Sequence, residues 1–183
     1  MELFESNPWQ THQSEVKYDN PWIKVTHNEV TNPAGKAGIY GVVHFKNTAV
    51  GVIPVDDEGY TYLVGQFRYT LNSYEWEIPA GGCPPGEETG ETAMRELQEE
   101  TGLIADSLKI LLGNMALSNS ISDERAFVYL ATGLTQGTAC PEDTEDLAIK
   151  RLPVAEAVEM VLRGEITDSM SVAGLLRLAM MNR

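Results

Sequence analysis

The chain has 183 residues, 43% of them hydrophobic and 22% charged, which is enough apolar material for one sizeable core and too little chain for two full domains. Its 13 Lys and Arg against 27 Asp and Glu leave a net charge of -14, a surface that repels a nucleic-acid backbone, and no basic patch offsets it. Two cysteines, Cys83 and Cys140, cannot build a disulfide framework, and no run approaches the roughly 18 apolar residues of a membrane span. The N-terminal stretch MELFESNPWQTHQSEVKYD scatters charge where a signal peptide needs an unbroken apolar core, so the expected address is the cytoplasm, with neither membrane nor nucleic acid as partner.

Residues 1–20 are polar and carry two Asn-Pro-Trp steps, Asn7-Pro8-Trp9 and Asn20-Pro21-Trp22, which favour turns or extended chain and predict an arm. From Trp22 to Phe67 the chain is rich in Val, Ile, Tyr and Phe, predicting strands at Trp22–Val30, Gly38–Phe45, Ala49–Val55 and Tyr60–Phe67. The turn residues Asn32–Gly35 and Asp56–Gly59 predict antiparallel neighbours on either side of them. After a strand at Tyr74–Ile78, the segment Pro79–Gly86 holds three Gly and three Pro and reads as a loop. A helix over Glu88–Thr101 follows, ended by Gly102 as a left-handed cap. Strands at Leu108–Leu112, Arg125–Ala131 and Leu147–Leu152 precede helices at Val154–Leu162 and Asp168–Met181, with Pro153 and Asp168 suited to the starts and Gly164 to the break. Many strands, one helix, more strands and a final helix pair predict a mixed α+β domain, with a doubly wound parallel sheet as the alternative.

Residues three and four apart share a helix face, so Glu96, Glu99 and Glu100 set three carboxylates on one stripe, with Arg95 expected to point largely elsewhere. Like charges so placed repel by a few tenths of a kcal/mol per pair. A hard divalent cation reverses that sign, since Mg²⁺ is held by a few carboxylates together with water and phosphate oxygens. The stripe sits in a longer pattern: Gly81, five residues, Glu87, seven residues, then Arg95-Glu96-Leu97-Gln98-Glu99-Glu100-Thr101-Gly102-Leu103. Its fixed and apolar positions coincide by chance at roughly 10⁻⁹ per starting position on average residue usage.

This pattern resembles the Nudix box at every specified position, and it identifies the chain as similar to Nudix hydrolases. The resemblance implies a mixed β-sheet sandwiched between helices, with residues 46–183 as the Nudix domain and residues 1–45 as an arm with strands that serves dimerisation. It implies Mg²⁺, with Mn²⁺ possible, held by Glu96, Glu99 and Glu100 against a diphosphate, and Glu87 with Arg95 as a supporting pair. Gln66-Phe67-Arg68-Tyr69 and Trp76-Glu77-Ile78-Pro79-Ala80-Gly81-Gly82 are similar to segments of the ADP-ribose and nucleoside diphosphate sugar pyrophosphatase branch. That branch implies the Ala80 carbonyl as a further metal ligand and Arg68 as a clamp on the pyrophosphate. It also places a mobile catalytic glutamate in the acidic loop Cys140–Asp146, where Glu145 matches best and Glu142 and Asp143 stay open. Among the box residues, Glu99 and Glu100 are the expected catalytic carboxylates.

In the ADP-ribose enzymes a proline stands about sixteen residues beyond the box, and here that count from Leu103 reaches Asn119. A broader substrate class therefore follows: GDP-mannose, ADP-ribose and ADP-glucose, cleaved to nucleoside monophosphate and sugar 1-phosphate, with a dedicated ADP-ribose pyrophosphatase or a dinucleoside polyphosphate hydrolase as alternatives. A nucleotide sensor without turnover is the reading from another class, and the intact box argues against it. Ser122, Asp123 and Glu124 are candidates for contact with the sugar or its phosphate, or for capping a turn. Trp22 is a candidate to stack on the nucleobase, or to pack, as Trp9 is expected to do. His12, His27 and His44 are expected to stand apart from any carboxylate motif, which argues against zinc. The polar arm predicts a homodimer.

Overall fold

A computed structural model describes residues 6–138 and 147–181. The chain divides into two units, one built from residues up to Asn47 together with Ala116–Glu124, the other from Thr48–Met115 and the chain from Arg125 onward.

The first unit is a three-stranded antiparallel sheet of β1 (Gln10–Asp19), β2 (Ile23–Thr31) and β3 (Ala37–Phe45) in that order. The turn at Asn32–Gly35 joins β2 and β3 as its residues predict, with Gly35 at φ 75°. β1 replaces the expected arm. Every residue of this strand is exposed, so no apolar alternation announces it, and its backbone ladder with β2 holds it across two register shifts.

The second unit holds two sheets. One runs β10-β5-β6, from β5 (Tyr60–Arg68), β6 (Ser73–Glu77) and β10 (Ala148–Pro153). The other runs β7-β4-β9-β8, from β4 (Thr48–Pro54), β7 (Ala80–Cys83), β8 (Leu103–Ala116) and β9 (Arg125–Gln136). β4 pairs antiparallel with β7 and parallel with β9, so this sheet is mixed. Three expectations change here. Ala80–Cys83 is a strand rather than loop, and β8 is longer than Leu108–Leu112. The Asp56–Gly59 turn forms, with Gly59 N–H donating to Asp56 O at 3.0 Å, but β4 and β5 share the single bridge Val55–Thr61 and then enter different sheets.

The helices are α1 (Thr89–Thr101), α2 (Val154–Leu162) and α3 (Ser169–Met181). α1 ends at Gly102, whose φ of 73° lets its N–H turn back to Gln98 O. The alternation of β4 divides the core. Val50 and Val52 pack with Ala93 and Leu97 of α1, while Ile53 packs with Leu175 and Leu178 of α3. α3 comes close because Gly174 has no side chain, and a Cβ there would meet Val128 at 2.9 Å and Ile53 at 3.0 Å. The mixed sheet is thus covered by helix on both faces, the α/β/α layering of the expected fold class. No helix among the described residues is long and apolar enough to cross a membrane.

Candidate active site

α1 carries the carboxylate stripe on its inner face against β7. Glu96 is 8% and Glu100 2% exposed, while Glu99 is half-buried. Carboxylates so deep need partners. Glu100 Oε2 accepts the Ala80 N–H at 3.0 Å, tying the helix to the first residue of β7. Glu96 lies directly over Gly81, where any Cβ would fall inside its carboxylate. The three glycines that make Pro79–Gly86 look like a loop include Gly81, the one that lets helix and strand approach.

Arg95 does not point away from the stripe. Its Nη1 lies 2.8 Å from Glu96 Oε1 and 2.8 Å from Glu99 Oε2, and its Nε lies 3.6 Å from Glu87 Oε1. Helical spacing fixes where Cβ leaves the backbone, but a long Arg side chain bends back across its own turn to reach i+4. Burial works against its charge, and Glu96 with Glu99 overcome this to hold its proton more firmly than usual. Glu87 also accepts the Thr92 hydroxyl at 2.7 Å, so it and Arg95 form a supporting pair at the helix start.

Arg68 closes β5. Its fork grips Glu77 of β6, with Nε at 2.8 Å from Oε1, and a second amino group bonds Oε2. Glu77 raises the guanidinium's pKa above its ordinary value against the opposing effect of burial, and Asp168 and Glu100 act in the same direction. Arg68 is therefore a cation held by Glu77 and within the field of Glu100. A cavity of about 450 Å³ flanks α1, lined by Met94, Arg95, Gln98, Glu99, Ile104 and Thr138.

The donors offered to a metal are all oxygen: the carboxylates of Glu96, Glu99 and Glu100 and the Ala80 carbonyl. Hard donors of this kind suit Mg²⁺ or Mn²⁺. The side chains fit as a donor set rather than as a closed cage. Among the described residues no three His, Cys, Asp or Glu groups surround one point, since Glu96 and Glu99 meet Arg95 and Glu100 meets Ala80.

Of the residues expected at the site, Arg68, Ala80, Glu96, Glu99 and Glu100 belong to the second unit and Trp22, Asp123 and Glu124 to the first. Glu142 and Glu145 lie outside the described residues. Trp22 is 68% exposed, and Trp9, expected to pack, is exposed while meeting the Tyr40 ring edge-on at 5.4 Å. The half-buried Glu124 accepts the Leu117 N–H through its backbone carbonyl at 3.4 Å. Asp123 accepts the Phe45 N–H at 3.0 Å and lies 2.6 Å from His44 Nδ1, so His44 does not stand apart from carboxylates. Burial raises the Asp123 pKa, but the His44 bond and the Phe45 N–H outweigh it and leave the carboxyl below its usual range. Sequence reading missed Glu77 as the partner of Arg68, although both stand within the motifs that drew attention. It also missed His44, 79 residues from Asp123, which no local signal marks.

Comparison with known proteins shows the family. Residues 45–170 match the model of the NUDIX domain, and residues 9–43 match that of the nucleoside diphosphate sugar hydrolase N-terminal domain. The chain is 37% identical over 173 residues to an ADP-ribose pyrophosphatase of Mycobacterium tuberculosis, covering 92% of this chain and 82% of that protein. It is 31% identical over 172 residues to a methanol dehydrogenase activator of Bacillus methanolicus, covering 93% and 90%. A crystal structure of an ADP compounds hydrolase superposes with a TM-score of 0.85 at 21% identity over 94% of this chain and 93% of that one, a likeness of fold. Enzymes of this family generally work with divalent metal ions. The chain belongs to the Nudix family and is an ADP-ribose pyrophosphatase-like Nudix hydrolase.

Proposed function

We propose that the protein hydrolyses the diphosphate linkage of nucleoside diphosphate sugars, with ADP-ribose, GDP-mannose and ADP-glucose in its range, to a nucleoside monophosphate and a sugar phosphate. The observation that carries this reading is the buried carboxylate stripe of α1 seated on the Ala80–Gly81 edge of β7. Glu96, Glu99, Glu100 and the Ala80 carbonyl would hold Mg²⁺, or Mn²⁺, which when bound would neutralise phosphate charge and lower the pKa of a bound water. Arg68, already oriented by Glu77, binds a phosphate oxygen of the substrate. Glu145, or Glu142 in its place, takes a proton from the attacking water as its oxygen bonds to phosphorus. The bridging P–O bond breaks, and its electron pair leaves on the second phosphate. Trp22 stacks on the base, and Asp123 and Glu124 meet the sugar or its phosphate.

A range narrowed to ADP-ribose is favoured by the Mycobacterium tuberculosis relative, an ADP-ribose pyrophosphatase, while Asn119, at the position where the ADP-ribose branch carries proline, supports the broader one. Phosphate release in a phosphatase-coupled assay with Mg²⁺ separates the two. The expected outcome is turnover of ADP-ribose, GDP-mannose and ADP-glucose, lost in Glu100→Gln. Turnover of ADP-ribose alone would establish the narrow reading, and turnover of none would remove both.

Residues 1–45 are proposed to serve a homodimer. The exposed apolar side chains of Tyr18, Ile39 and Phe45 support this.

A further inference from the structure

We infer that Ser171 and Asp168, at the start of α3, are positioning residues that set the Ala80 edge of the metal and diphosphate site, an inference that rests on the function proposed above. Neither residue belongs to the box, and α3 carries none of it.

A gap in the backbone ladders separates β6 from β7. β6 ends at Glu77 and β7 begins at Ala80, and these strands belong to different sheets, so the chain changes sheet at Ile78-Pro79. Proline has no N–H, and Ile78 is fully buried, which leaves its N–H without water and outside both strands. Ser171 takes the place of a ladder partner. Its hydroxyl accepts the Ile78 N–H at 2.9 Å and donates to Asp168 Oδ2 at 2.7 Å, while Asp168 Oδ2 also accepts the Ser171 N–H at 2.8 Å. Ser171 is itself fully buried and Asp168 half-buried, so the Ile78 end of the relay is shielded from water.

What the relay holds is the segment on which the site depends. On one side of Ile78, Glu77 grips Arg68. On the other, Pro79 O accepts the Val52 N–H at 2.9 Å, and the Ala80 N–H donates to Glu100. Just before α3, the Thr167 hydroxyl donates to Glu75 Oε2 at 3.0 Å, a second tie to β6. One turn into α3, Gly174 lets the helix lie close to β4 and β9, which brings Ser171 within reach of Ile78. The chain of cause runs from α3 packing through Ser171 to the placing of the Ala80 carbonyl and the Glu77–Arg68 pair.

The test compares Ser171→Ala with Met160→Ala, a truncation in α2 of the core cluster that also holds Ile78 but outside the hydrogen-bonded relay. Three readouts separate positioning from loss of stability: Mn²⁺ affinity by titration calorimetry, kcat against KM for ADP-ribose, and hydrogen exchange of the peptide spanning Ile78 and Ala80. Ser171→Ala is expected to weaken Mn²⁺ binding and lower kcat about tenfold each with KM nearly unchanged, in the range seen when a group supporting a metal ligand is lost. Exchange at Ile78 and Ala80 quickens in Ser171→Ala and not in Met160→Ala. Unchanged Mn²⁺ affinity and kcat in Ser171→Ala, or changes that Met160→Ala reproduces, would overturn the inference. Should Ser171→Ala fail to fold, Asp168→Asn decides. It keeps the side chain's shape and loosens its hold on Ser171, so a smaller loss in the same three readouts is expected and no loss overturns the inference. A wild-type protein that neither binds Mn²⁺ nor turns over a diphosphate sugar would instead refute the proposed function, and hydrogen exchange would still decide whether Ser171 fixes the segment.

Discussion

Glu96 can lie against β7 because position 81 has no side chain, and the atoms in the way of a Cβ there are the far end of a flexible glutamate rather than backbone. That distinction separates folding from activity. Gly81→Ala is expected to fold with little change in Tm, since the Glu96 carboxylate can rotate aside, but a Cβ 2.1 Å from that carboxylate then displaces the donor by about 1 Å or more. Displacements near 1 Å at reacting groups cost about a hundredfold in rate, so kcat should fall by about that factor. A Gly81→Ala enzyme with near-normal kcat would show that Glu96 need not occupy this place. Arg95 teaches a related lesson about electrostatics at close range. It neutralises part of the stripe, so the like-charge repulsion read from helical spacing is smaller than three bare carboxylates imply.

At the level of elements, the segment Ala116–Glu124 is fastened to β3 through Asp123, which accepts from Phe45 N–H and His44, while Asp123 N–H donates to Val43 O at 3.3 Å. The Asp123 carboxyl titrates below its ordinary value of 3.8, so its ionised form is favoured in the folded protein. A lowered folded pKa contributes stability that is fully present above the unfolded value and is lost as pH falls through the folded one. Asp123→Asn should therefore lower Tm at pH 5 to 7, and the gap from wild type should close as pH drops below about 4. A gap that persists unchanged at the lowest pH would show that the charge contributes nothing. The same elements show how much of the structure was legible beforehand. α1 and its Gly102 cap could be read because helical composition, the glycine stop and the box coincide in one stretch. β1 could not, because a strand held by backbone bonds with every side chain exposed leaves no apolar alternation. β7 was hidden by its glycines, which serve the approach of Glu96 rather than a turn. The separation of β4 from β5 was equally unreadable, since a turn motif specifies the turn and not the sheet each strand then joins. At the site, the box carboxylates were read from spacing, whereas Glu77 meets Arg68 only through the pairing of β5 with β6 and Ser171 reaches Ile78 across 93 residues, and spacing encodes neither.

For the whole molecule, the open question is what covers the β1-β2-β3 sheet. Its register places Tyr18 opposite Val25 and Val25 opposite Val43, and Ile39 and Phe45 stand an even number of residues from Val43, so these side chains share one face. Tyr18, Ile39 at 71% and Phe45 leave that face substantially exposed. A three-stranded sheet gains stability by burying an apolar face, and a second copy of the chain offers the same face in return. Charge opposes the pairing, because each copy brings -14. Association driven by apolar contact against like-charge repulsion strengthens as salt screens that repulsion, the reverse of an interface built on ion pairs. Light scattering at micromolar concentration should thus give twice the 20.1 kDa chain mass, with the dimer fraction rising with salt. Ile39→Lys, which puts a charge in the middle of the face, should give the monomer mass at every salt concentration while leaving the second unit folded. A wild-type monomer, or a dimer that dissociates as salt is added, would count against this face as the interface and would place the role of residues 1–45 elsewhere.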